Sequence, residues 1–477
     1  MKKDKPALSG GSPKVAPKRI IGFIVAVVLI ALFTLIPPFE GLTEAGMASI
    51  GVFLAAIVLF VCQVAPLAVS CLTLMVLLPY FNITTLNQIF ADFGGTSFFF
   101  VFFCFGVTGA LSNTTIPMRI SAWITKISKG NPKTLVFGFL FIATLMSGFL
   151  SNFGTLIMFY GIIFMFLKSA GLKPGESRLG KCLMIGLPFA CGNGGFISPA
   201  GSPGNLIAQS LLQAQGVDVS FLQWFVMCLP FALIMCLLVS ISLIVIFKPE
   251  AMPMEAQQAV FAEKDKLGPM EGKEKKAIVI IIVTILLWFA GTWVKALNTT
   301  VVAGCAFFLM FMPGIDLMDW KSYVREADWN LLMMVGSVAV TMGCVNSTGA
   351  MTWIADKFFS GLGGMGIYAV MLIVGFVVCY LRVLIPTAPS VAAIFVPIMI
   401  GIAQIVGSQY TLALAMIPVF WAGATITLLY TEPIYLYTHG AGYYSASDLF
   451  KGGLVPTLLM IVIVAFGFPT WFHLFGF

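Results

Sequence analysis

The chain has 477 residues, 60% of them hydrophobic and 9% charged, with a formal net charge of +7. Such a composition excludes a soluble domain and fixes an integral membrane protein. The positive balance does not mark a nucleic-acid partner, because most Lys and Arg stand at the ends of apolar segments, as the positive-inside rule expects.

The ten cysteines lie almost all inside apolar segments without a C-x-x-C pair, and read as small buried apolar side chains. His439 and His473 are too few and too separated for a metal site. No phosphate loop, kinase set or G-x-S-x-G elbow is present, so neither an ATP-driven pump nor an enzyme is supported.

A spanning helix needs about 20 apolar residues. Residues 1–19, with Lys2, Lys3, Lys5, Lys14, Lys18 and Arg19, read as a cytoplasmic tail and not as a cleaved signal. Residues 20–95 hold three scaffold helices, over 20–37, 45–62 and 65–81; the first leads outward to Pro37-Pro38. Residues 96–247 form a first repeat unit. It opens with a helix over 96–112 and an amphipathic piece to Gly130.

The next segment, 134–167, is flanked by Arg119, Lys126, Lys129 and Lys133 on one side and by Lys168, Lys173, Arg178 and Lys181 on the other. Both flanks are therefore cytoplasmic. Each arm of about 17 residues reaches only about 25 Å at 1.5 Å per residue, which makes two full crossings tight. The segment reads as a re-entrant hairpin turning at Ser151-Asn152-Phe153-Gly154. The following helix, 182–213, is interrupted from Cys191 to Asn205, where five glycines, two prolines and two asparagines cluster. A helix over 222–247 leads to a Lys-rich cytoplasmic linker, 248–276.

Residues 277–328 supply two further scaffold helices, and 329–477 replay the first repeat upside down. A helix covers 329–346 and an amphipathic piece 350–360. A second hairpin, 366–406, turns at Thr387-Ala388-Pro389 between flanks almost free of positive charge, as an outside-facing hairpin should be. The next helix, 411–438, breaks at Thr431-Glu432-Pro433, and the last, 453–473, ends outside. Val107-Thr-Gly-Ala-Leu-Ser-Asn113 is similar to Val340-Thr-Met-Gly-Cys-Val-Asn346, and each lies about 40 residues before its hairpin tip.

Two polar breaks at matching places in two inverted halves point to a secondary transporter with its site at the bilayer midplane. Half-helix N-termini favour anions, while freed carbonyls and C-terminal ends favour a cation. Ser151, Asn152, Ser202, Asn205, Thr387, Ser390 and Thr431 therefore suit carboxylate recognition without several buried basic side chains.

These residues resemble the divalent anion–sodium symporter family, the INDY-type carriers of di- and tricarboxylates, over essentially the whole chain. The family's Ser-Asn-Thr hairpin motif stands here as Ser151-Asn152-Phe153, followed by Gly154-Thr155. Its loop motif Gly-Ser/Thr-Pro-x-Asn stands as Gly201-Ser202-Pro203-Gly204-Asn205. The resemblance implies an all-α membrane protein of about 11 transmembrane helices and two opposed re-entrant hairpins. It also implies a dimerising scaffold, a moving transport domain and a homodimer with small dicarboxylates as substrates. These motifs would grip one carboxylate, and Ser147, Ser151, Asn152 and the glycines near Gly194 correspond to a first sodium site.

The second half departs from the pattern. Thr387-Ala388-Pro389 aligns with the second Ser-Asn-Thr, so Ala388 replaces its asparagine. The hydroxyl expected four residues earlier falls on Val383, and the Thr-Pro-Pro motif reads Thr431-Glu432-Pro433. This erosion resembles the family's sodium-independent exchangers and puts sodium coupling in doubt. Arg382 and Glu432 are costly at such depth unless paired or facing water. Arg382 is read as a fixed charge in place of a mobile cation, with Glu432 orienting it. The open alternatives are proton coupling through Glu432 and a salt bridge that only pins the hairpin.

Overall fold

The computed structural model describes residues 17–476 except 113, 386, 425, 426, 430 and 431, and its described residues fold as helices and turns. Helix α1 (Pro17–Leu35) packs along α2 (Glu44–Cys62) and leaves most of its apolar side chains exposed, as a lipid-facing helix does. Next come α3 (Leu67–Leu77), the short α4 (Leu86–Phe93) and α5 (Thr96–Ser112). An amphipathic arm, α6 (Ile116–Ser128), leads into the first hairpin, α7 (Pro132–Ser147) and α8 (Asn152–Ser169). Lys129 and Gly130 adopt left-handed backbone, Asn131 caps α7 through Lys133 N, and Pro132 takes its first turn. Then follow α9 (Arg178–Gly194), α10 (Pro203–Gln213) and α11 (Phe221–Phe247).

The linker between the halves carries α12 (Met254–Lys266), packed across α6 and α8. It is tied at both ends. Glu250 accepts from Ser177 Oγ at 2.6 Å and from Arg178 N and Leu179 N at 3.1 Å, closing the N-terminus of α9. Arg119 on the arm donates to Gly268 O at 3.0 Å and pairs with Glu274 at 3.2 Å.

The second half comprises α13 (Gly272–Ala290), α14 (Thr299–Met310), α15 (Trp320–Glu326), α16 (Trp329–Ser347) and the arm α17 (Ala350–Phe359). The chain bends by 115° between that arm and the second hairpin, α18 (Ile367–Leu381) and α19 (Ala388–Val406). The end is built by α20 (Thr411–Ala424), α21 (Pro433–His439) and α22 (Ala446–His473). The order α2–α11 thus recurs as α13–α22. The packing is exchanged accordingly, since α16 lies on α3 of the first half while α5 lies on α14 of the second.

The protein is an all-α integral membrane protein with two re-entrant hairpins in an inverted repeat. Seven described helical runs are long and apolar enough to cross a bilayer singly. The count reaches eleven when α19, an arm of the second hairpin, is set aside, α3, α13 and α14 are added, and the broken pairs α9–α10 and α20–α21 are each taken as one crossing. Helices α9, α19 and α20 are buried almost all round, so the broken elements form the centre of the molecule.

Candidate functional site

Four half-helices begin at the polar breaks: α8 at Asn152, α10 at Pro203, α19 at Ala388 and α21 at Pro433. The first turn of any helix leaves backbone N–H groups without intrahelical partners. Several ends elsewhere in the chain are closed by side chains, those of Asn131, Ser177, Ser220, Asp328 and Ser445 among them, while α3, α6, α12, α17 and α18 make no such bond. At the four breaks the N-cap residues are Ser151, Ser202, Thr387 and Glu432, all able to accept a hydrogen bond, and none makes a side-chain cap bond. The open ends carry the positive pole of each half-helix dipole, and two of them start with a proline.

The half-helices meet in two symmetry-related pairs. In one, a Cβ at Gly204 of α10 would stand 3.0 Å from Ala388 O of α19, so any larger residue would push the two backbones apart by a few tenths of an ångström. In the other, Asn152 Nδ2 at the start of α8 donates to Glu432 Oε1 at 3.4 Å at the start of α21. The two broken helices cross at Gly192 and Gly423, where a Cβ at Gly423 would lie 2.1 Å from Gly192 O. Hairpin one packs on the first break. A Cβ at Gly201 would be 2.9 Å from Ser147 O, one at Gly148 would be 2.9 Å from Ile197 Cβ, and Ser198 Oγ donates to Gly148 O.

The break itself is pinned by Asn205, whose Nδ2 donates to Gly195 O at 2.7 Å and Ser198 O at 2.6 Å. Asn205 therefore holds the loop in shape, and its amide nitrogen is not directed at a ligand. Asn152 Oδ1 accepts from Phe153 N at 2.8 Å. Ser151 is half-buried and Phe153 is 45% exposed, while Ser202, Pro389 and Ser390 are buried. Thr387 Oγ1 donates to Ser390 Oγ at 2.8 Å and borders a cavity of about 350 Å³. Pro433 opens α21, and Thr431 lies outside the described residues.

At the other pole of the half-helices, carbonyls near the ends of α9 and α20 accept from side-chain donors. Ser147 Oγ donates to Cys191 O at 2.5 Å, three residues before the end of α9. Arg382 Nη1 donates to Trp421 O at 2.9 Å, three residues before the end of α20. The two carbonyls occupy equivalent positions, so a guanidinium in the second half answers the same place as a hydroxyl in the first. Arg382 is 0% and Glu432 4% exposed, and they interact electrostatically. Gly194 lies against the backbone of Thr144, with a would-be Cβ 2.2 Å from Thr144 O. Ser147 and Gly194 therefore meet where hairpin one packs on the end of α9, and Asn152 reaches Glu432, whose Oε2 lies beside Gly192 of the same helix.

Sequence reasoning missed the Gly192–Gly423 crossing and the Asn152–Glu432 contact. The only sequence signal for the crossing was a glycine a few residues before each break.

Residues 17–477 match the family described as sodium:sulfate symporter transmembrane region. The chain belongs to this family. It is similar, at 24% identity over 95% of this chain and 97% of the relative, to an uncharacterized transporter of Haemophilus influenzae. It is 20% identical to the sodium-dependent dicarboxylate transporter SdcS of Staphylococcus saprophyticus, over 94% of this chain and 90% of that protein. The fold is similar to the crystal structure of the Alcanivorax borkumensis YdaH transporter, with a TM-score of 0.57 at 12% identity, covering 96% of this chain and 99% of that one. The protein is a membrane transporter and not an enzyme.

Proposed function

We propose that the chain carries dicarboxylates of the succinate, malate, tartrate or 2-oxoglutarate class across the cell membrane, with its N-terminus in the cytoplasm. The observation that carries this reading is the set of four helix N-termini whose N-cap side chains leave them open. Such ends bind carboxylates through backbone N–H groups and the helix dipole. The two pairs, α8 with α21 and α10 with α19, provide one end for each carboxylate of a substrate. Ser151, Asn152, Ser202, Thr387 and Ser390 add side-chain donors beside them. The dicarboxylate named for the Staphylococcus relative supports the same class.

Transport proceeds by exchange, with α7–α11 and α18–α22 moving as a transport domain against the helices of residues 20–95 and 277–328 in a homodimer. Arg382 supports exchange over symport, because it holds the cation position of the second half with a charge that cannot leave. The competing reading is sodium symport through one site. It rests on Ser147, which keeps a hydroxyl and no charge at the first half's equivalent carbonyl.

Reconstituted vesicles loaded with or without succinate, in sodium or potassium buffer, decide between them. Exchange predicts uptake that requires internal dicarboxylate and proceeds in potassium. Uptake that needs sodium and no internal substrate would overturn it. Absence of dicarboxylate uptake in every buffer would overturn the substrate class.

A further inference from the structure

The tip of the second hairpin opens on a cavity of about 350 Å³ that nothing above assigns. Its walls come from Phe60, Gln63 and Pro66 at the α2–α3 turn, from Ile385, Thr387 and Ser390 at the tip, and from Arg19 at the start of α1. The volume falls within the roughly 300–1,000 Å³ of small-molecule sites. Arg19 is the charged residue of this wall. Its Nε donates to Val64 O at 3.0 Å, across 45 residues of sequence, so the side chain is tethered to the turn that frames the cavity. A guanidinium carries five donors in a rigid fork, and a single Nε bond leaves the two terminal nitrogens to meet a planar carboxylate. Opposite stands the open N-terminus of α19, with Thr387 and the buried Ser390 beside it.

We propose that Arg19 is a docking residue for the dicarboxylate on one face of the membrane only. It holds one carboxylate at the mouth while the other reaches the N-terminus of α19. The inference rests on the dicarboxylate reading. A phosphate from a lipid headgroup presents the same anionic oxygens to a basic residue near the end of a spanning helix, so the test must separate a transported anion from a lipid. The positive-inside pattern puts Arg19 on the cytoplasmic face, and everted vesicles present that face to the medium.

The test compares succinate kinetics of the wild type, Arg19→Gln and Arg19→Lys in right-side-out and everted vesicles, each loaded with succinate. Substitution by Gln should raise KM about three- to fivefold in everted vesicles, the effect of one partly solvated charge contact. KM in right-side-out vesicles and the maximal rate should stay within twofold. Lys should recover part of the loss, and high salt should raise the wild-type KM toward that of Arg19→Gln. Equal changes on both faces, or a fall in maximal rate with KM constant, would mean a structural or lipid-anchoring role and overturn the proposal. Unchanged kinetics throughout would also overturn it. Wild-type vesicles that take up no dicarboxylate would overturn both this inference and the reading beneath it.

Discussion

Replacing Arg382 by glutamine gives the sharpest test of the buried charges. The guanidinium is fully buried and donates to Trp421 O at 2.9 Å, a charged hydrogen bond of about 1.5–3 kcal/mol. Its removal leaves the carboxylate of Glu432 4% exposed, with Asn152 Nδ2 at 3.4 Å and with Oε2 lacking a hydrogen-bond partner among the described residues. Stranding one member of a buried pair costs about 3–5 kcal/mol. Arg382→Gln should therefore lower stability by about that amount. The double variant Arg382→Gln/Glu432→Gln, which removes both charges, should lose only about 1–2 kcal/mol, because a neutral pair has no desolvation penalty to offset. Thermal unfolding of the purified protein in detergent gives the stability ranking, with the double variant expected to be about 2–3 kcal/mol more stable than Arg382→Gln alone. The same variants in succinate-loaded vesicles should show exchange that is slowed in potassium and partly restored by sodium, since the cation position has been vacated. A double variant as unstable as the single one would refute the pairing. Unaltered exchange kinetics and cation dependence in Arg382→Gln would refute the fixed-cation role.

The helix crossing and the pinned loop give two further expectations. Gly423→Ala places a methyl 2.1 Å from Gly192 O, backbone on backbone, and should cost about 3 kcal/mol or more and abolish transport. Gly161→Ala meets nothing within 4 Å and should be neutral in the same unfolding and uptake assays. Asn205→Ala removes the amide donor from Gly195 O, while Ser198 O keeps its bond from Gly201 N, and should cost about 1–3 kcal/mol. It should reduce maximal exchange rate more than it raises KM, because the amide holds the loop and does not face the ligand. A pure KM effect would place that amide on the substrate instead.

The hairpins were legible because charge and length act there without help from tertiary structure. Lys133 and Lys168 bracket a segment too short for two crossings, and the helices that form, α7 and α8, meet at Ser151 as the polar tip suggested. Three short or polar helices escaped. The sequence pattern of α12 has charges all round and no apolar stripe, yet its Val260 is buried because α6 and α8 supply the missing face. Helices α4 and α15 were passed over because each has fewer than nine residues and is fixed by its cap, Thr85 and Asp319 respectively. The first break was placed from Cys191, where glycines begin, but α9 continues to Gly194. Gly192 and Gly194 act there by letting two backbones touch. Composition cannot distinguish a glycine that ends a helix from one that lets another chain cross it.

That distinction bears on how the two halves divide their work. At the first break Ser202 precedes the proline of the half-helix, and at the second Glu432 does; at the α9 carbonyl stands Ser147, and at the α20 carbonyl Arg382. The second half has gained one charge of each sign, so the buried interior has no net charge to bring across the membrane. On the exchange reading, this neutrality leaves the open N-termini as the barrier to an empty return. An unloaded carrier would have to move four open helix ends, one of them partly closed by Asn152, past the apolar walls of the scaffold with N–H groups stripped of water. A dicarboxylate satisfies them in pairs. A symporter lowers the same barrier by releasing its cation together with its substrate, but Arg382 stays behind bonded to Trp421. Empty return is then opposed at both poles of the second half, and reloading becomes the cheaper path.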